Sequence, residues 1–97
     1  MTSYMTDDIS RTISAAEDAA RPRVAAAASL AELDGLKAEL LGKRSELMSL
    51  RQSLGGLEPD DRRIAGKALN TAVEGLSALL AERRAELEAA ERRARLD

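Results

Sequence analysis

The sequence contains no cysteine, histidine, tryptophan or phenylalanine, and its only aromatic side chain is Tyr4. Without cysteine there is no disulfide framework, and without cysteine or histidine the usual zinc ligand sets cannot be assembled. Without aromatics a thick core of large rings is excluded, so leucine and alanine must do the burying. There is also no histidine or cysteine nucleophile, no glycine-rich phosphate loop and no clustered carboxylate motif for a metal. No catalytic residue, metal ligand or cofactor is therefore nominated for this chain by itself. No run approaches the ~20 apolar residues of a membrane span. Asp7 and Asp8 stand where a secretory leader needs a cationic and then an apolar stretch. These exclusions give the expectation of a soluble, cytoplasmic chain with no membrane partner.

What is present favours helices. The 97 residues suit one domain, and a third of them are charged with both signs represented, as on long exposed helices. Thr6, Asp7 and Asp8 look like a cap and an acidic first turn, followed by Ile9, Ile13, Ala16 and Ala20 at helical spacing. Pro22 disturbs this helix, and whether it kinks or ends it is not decided by the sequence. The alanines beyond Pro22 favour helix to about residue 28. Ser29-Leu30-Ala31-Glu32 has the form of a capping box. Leu33, Leu36, Leu40, Lys43, Leu47, Leu50 and Leu54 follow in steps of three and four, a heptad seam interrupted once by Lys43. Gly55-Gly56 ends the run, Pro59 suits the first position of a new helix, and Asp60 and Asp61 complement its dipole. A third helix over about 59–96 carries Leu69, Val73, Leu76, Leu80, Arg83, Leu87, Ala90 and Ala94 in its seam, widened on one side by Ala65, Ala72 and Leu79.

The spacing thus predicts an all-α fold: a long antiparallel two-helix coiled-coil hairpin with a shorter N-terminal helix packed at its base. Residues 1–28 would form the N-terminal helix and base, and 29–97 the arm, with helices over about 30–54 and 59–96 and a tip at 55–58. Zipping outward from that tip puts Leu47 near Gly66, Leu40 near Val73 and Leu33 near Leu80. The same apolar stripe of helix one would serve packing within the chain or a swapped dimer.

Charge is unevenly spread. Between Lys43 and Lys67 lie six basic residues and four acids, a balance of +2 against −2 for the whole chain, so the remainder carries −4. An arm whose distal half is more positive than its base suits an anionic partner. Lys43, Arg44, Arg51, Arg62, Arg63 and Lys67 are the candidates on charge and location. Against this, charges flanking a heptad seam ordinarily set pairing and solubility. Lys43 in the seam can fix register while its stem reaches solvent. Gly35, Gly42 and Gly66 are positions where another backbone could approach closely. Leu41 and Met48 form an outward apolar pair suited to packing on helix one or on another protein.

The run "LDGLKAELLGKRSELMSLRQSLGGLEPDDRRIAGKALNTAVEGLSALLAERRAEL" resembles the N-terminal domain of bacterial phenylalanine–tRNA ligase alpha subunits. The resemblance rests on Leu41-Gly42-Lys43-Arg44, on Pro59-Asp60-Asp61-Arg62-Arg63, and on Ile64 and Gly66. It covers about residues 29–97 and departs at Ser45, where the family usually has a second glycine. It implies a tRNA-binding arm of a class II synthetase that attaches phenylalanine to its tRNA with ATP and magnesium. It further implies an alpha2beta2 heterotetramer with a beta subunit, and a catalytic domain that is absent from this chain. Two other readings stand beside it. One is a structural, protein-binding hairpin without RNA contact, using Leu41 and Met48. The other is the arm of a seryl-tRNA ligase, which the tip sequence does not support.

Overall fold

Two serines decide where the middle of the chain starts and restarts its helices. The computed structural model describes the backbone of residues 3–96 and the side chains of residues 8–96. Four α-helices follow in order: α1 (Ser3–Ala26), α2 (Leu30–Leu41), α3 (Glu46–Ser53) and α4 (Pro59–Leu96), with one 3₁₀ turn at Leu54–Gly56 before α4. Ser29 caps α2, its Oγ accepting from the Glu32 amide at 3.1 Å. Glu32 returns the favour one residue further back than a standard capping box, accepting from the Ala28 amide at 2.7 Å. Ser45 caps α3 in the same manner, accepting from the Met48 amide at 3.3 Å, and is buried.

The expected continuous helix over 30–54 is therefore corrected: it is divided at residues 42–45. Gly42 ends α2 in an extended conformation with its amide on the Ala38 carbonyl. A Cβ at Gly42 would stand 2.1 Å from that carbonyl oxygen, so the close approach that this glycine permits is to its own helix. Lys43 consequently leaves the seam and is exposed. The break also alters the register. Leu54, not Leu47, is the residue against Gly66, its Cδ1 lying 3.9 Å from where a Cβ would stand. Arg51 reaches Asn70. Leu33 and Leu80 do line one crevice, with Asp34 and Arg84 closing it as an ion pair.

The second correction concerns helix one. It begins at Ser3, so Thr6 lies inside it rather than capping it, and it continues through Pro22 to Ala26. It is not confined to the base. Ile13 lies beside Ala68 and Ala72, Ala20 beside Leu76, and the Ala27 carbonyl accepts from Arg83. α1 thus runs parallel to α4 and directly against it from the tip end towards the base, while α2 and α3 run the other way alongside both. The reason is the second apolar stripe of α4: the small residues Ala65 and Ala72 let a helix of isoleucines and alanines approach along it. One cluster joins Ile13, Ala20, Leu47, Leu54, Leu57, Leu69, Ala72 and Leu76; another joins Val24, Ala27, Leu33, Leu36, Leu80 and Leu87.

Of the seam residues, Leu33, Leu36, Leu47, Leu54, Leu69, Leu76, Leu80 and Leu87 are buried, whereas Leu40, Leu50 and Val73 are half-buried. Leu41 packs against both clusters, so it is not an outward docking residue. At the base, Arg83 donates through Nε and Nη2 to the Ala27 carbonyl at 3.1 and 2.8 Å, satisfying an acceptor at the end of α1. Beyond Ala89, α4 continues exposed to Leu96. The molecule measures 61 × 18 × 17 Å. No described helix is long and apolar enough to cross a membrane.

Candidate nucleic-acid interface

The first four turns of α4 bring cations to one surface. Arg63, Lys67, Asn70 and Glu74 recur at steps of four, three and four, which keeps them on one helical face. Together with Pro59, Arg62, Gly66 and Thr71 they line a shallow open groove at the tip end. Local geometry fixes several of them. Arg62 donates from Nη2 to the Leu57 carbonyl at 3.2 Å, tying α4 to the turn before it. Thr71 donates its hydroxyl to the Lys67 carbonyl at 2.9 Å. Arg63 lies 3.4 Å from Asp60, with both side chains more than three-quarters exposed. An ion pair so open to water adds about 0–1 kcal/mol, so Arg63 is readily exchanged onto another anion.

The six candidate cations do not form one cluster. Arg62, Arg63 and Lys67 share the groove. Arg51 joins its edge, because it donates to Asn70 at 2.9 Å. Lys43 and Arg44 lie in the break between α2 and α3, and Arg44 lines a separate crevice with Ala16, Ala20, Arg23 and Glu39. That crevice is closed by an ion pair, Arg23 Nη2 to Glu39 Oε2 at 2.7 Å. The hydrogen bond from Arg23, aided by its charge, holds the Glu39 carboxyl below the usual carboxylate range and raises the Arg23 guanidinium in turn.

The close-approach glycines also part company. Gly35 is exposed with nothing within 4 Å of a Cβ, Gly42 serves the end of α2, and only Gly66 lies in the groove. Sequence reasoning missed Asn70 and Thr71, which are uncharged and were not sought in a search for cations. The four-three-four spacing from Arg63 is the signal that finds Asn70. Among the described residues no three acidic, histidine or cysteine side chains stand close enough to hold a metal ion. The groove offers cations and hydrogen-bond donors on one helix.

Comparison with known proteins gives the family. The family model for the class II aminoacyl tRNA synthetase N-terminal domain matches residues 28–96. The phenylalanine–tRNA ligase alpha subunit of Vibrio cholerae serotype O1 is 46% identical over 71 residues, 73% of this chain and 22% of that protein. The same subunit from Chromobacterium violaceum is 42% identical over 78 residues, 80% of this chain and 24% of that protein. Its counterpart from Bordetella parapertussis is 44% identical over 77 residues, 79% and 22% respectively. The chain thus spans less than a quarter of the length of these curated relatives. With most of its residues matched, from the last turn before α2 to the end of α4, the chain belongs to the family of class II aminoacyl-tRNA synthetase N-terminal domains.

Proposed function

We propose that this chain is the tRNA-binding element of a phenylalanine–tRNA ligase alpha subunit. In this reading it works in the cytoplasm, holding the tRNA for phenylalanine while the parent ligase attaches the amino acid. The observation that carries it is the open groove on α4, which Arg62, Arg63 and Lys67 line with exposed side chains. Each engages phosphate by charge, which positions an RNA without reading its bases. In the same proposal ATP and magnesium serve the catalytic domain of the parent ligase. A beta subunit completes an alpha2beta2 ligase in the same proposal.

The test is binding of a tRNA transcript by the chain over a range of salt. Three phosphate contacts give a log–log slope of about −2 to −3. A slope near zero, or no binding at low salt, would sink the proposal.

A second reading, a helical module that docks another protein without touching RNA, is favoured by one observation. Past Ala89, α4 is exposed along its length, with Leu96 87% exposed. It predicts that Leu96→Asp abolishes a complex with the beta subunit and leaves tRNA binding unchanged.

A further inference from the structure

Asn70 is held in one orientation by a partner that can only donate. Arg51 approaches from α3 and places Nη2 2.9 Å from Asn70 Oδ1. A guanidinium has no acceptor, so the amide oxygen must face Arg51 and the Nδ2 donors must face away from it. Asn70 lines the same groove as Arg62, Arg63 and Lys67. Among the described side chains Nδ2 has no acceptor. The neighbouring Thr71 spends its hydroxyl proton on the Lys67 carbonyl, and Asp60, almost three turns earlier on α4, pairs with Arg63. The groove is rich in donors on its tip side, and the Glu74 carboxylate stands one turn beyond Asn70.

We infer that Asn70 is a hydrogen-bond donor to a phosphodiester oxygen of the bound RNA, and that Arg51 is the positioning residue that turns its amide outward. The inference rests on the proposed RNA-binding role of the groove and adds a neutral contact to it. It also removes Arg51 from the set of direct phosphate ligands. A neutral donor beside cations adds affinity without releasing a counterion, so its loss lowers binding but not the salt dependence.

Asn70→Asp separates this role from a structural one. The aspartate keeps an oxygen for Arg51, so the contact between α3 and α4 survives, but the outward donors become a carboxylate oxygen facing phosphate. The expected result, read by tRNA titration at fixed salt, is a loss of affinity of about tenfold or more with the helical signal at 222 nm unchanged. Asn70→Ala weakens binding less and leaves the salt slope as in the parent. Arg51→Ala lowers affinity without reducing the slope, and lowers it little when Asn70 is already alanine. If Arg62→Glu with Arg63→Glu abolishes binding while Asn70→Asp binds tRNA like the parent, the inference fails and the groove reading stands. If Arg51→Ala reduces the slope by about 0.7 to 0.9, Arg51 itself grips a phosphate and its positioning role is overturned. If the unchanged chain does not bind tRNA at all, both fall together.

Discussion

Two glycine-to-alanine substitutions should move stability in opposite directions. At Gly42 an added Cβ lies 2.1 Å from the Ala38 carbonyl oxygen, a backbone atom that cannot swing aside like the end of a side chain. Relieving that contact means shifting the end of α2 or the whole of the break, at a cost of about 1–3 kcal/mol. At Gly66, inside α4, the same Cβ meets only Leu54 Cδ1 at 3.9 Å, an ordinary contact. There the alanine gains about 0.5–1 kcal/mol from reduced backbone entropy in the unfolded chain and better helix propensity. Urea unfolding followed at 222 nm reads both. With a slope of about 1–2 kcal/mol per molar, the two midpoints should separate by about 1–4 M, with the parent between them. The reasoning is refuted if Gly42→Ala stabilises the chain and raises its helical signal. That outcome would mean that residues 30–53 prefer one continuous rod and that the break is not built into the sequence.

Three further outcomes follow from the packing and the ion pairs. Ser45→Ala removes the cap of α3 and should cost about 1 kcal/mol in the same assay, with loss of helical signal. Leu76→Ala, at a side chain with 0% exposure between α1 and α3, should cost about 2–5 kcal/mol, and half-buried Leu40→Ala distinctly less; equal losses would contradict the assigned core. Glu39 binds its proton less readily folded than unfolded because Arg23 holds it ionised. Its contribution is therefore fully present above about pH 4.3 and lost as acid carries the pH down through its lowered folded value. Thermal melts of Glu39→Gln should accordingly show a shallower loss of stability over that acid range than the parent does.

The helix inventory was legible where local chemistry acts alone. Ser29 and Glu32 marked the start of α2, and Pro59 with its acids marked the start of α4. The break at 42–45 was masked because Leu40, Leu47 and Leu54 keep heptad phase across it, so the hydrophobic pattern argued for one rod. Ser45 caps α3 as Ser29 caps α2, but Met48 stands where a capping box has its glutamate, so this start is less distinct in the sequence. The placement of α1 depended on recognising Ala65, Ala72 and Leu79 as a second docking stripe rather than a widened seam. Small residues on both helices gave that contact little hydrophobic contrast in the sequence. At the groove, charge identified Arg62, Arg63 and Lys67. It could not separate them from Lys43 and Arg44, whose different location depends on the break, and it was blind to the neutral Asn70.

The central claim is that the groove on α4, and not basic charge in general, holds the RNA. Its most direct test compares two double reversals by tRNA titration at moderate salt, Arg62→Glu with Arg63→Glu against Lys43→Glu with Arg44→Glu. Both pairs change the net charge equally, and all four side chains are exposed. The account predicts that the first pair lowers affinity by an order of magnitude or more with helicity intact, and that the second has a much smaller effect. Equal losses from the two pairs, or an affinity untouched by reversal at 62 and 63, would contradict it.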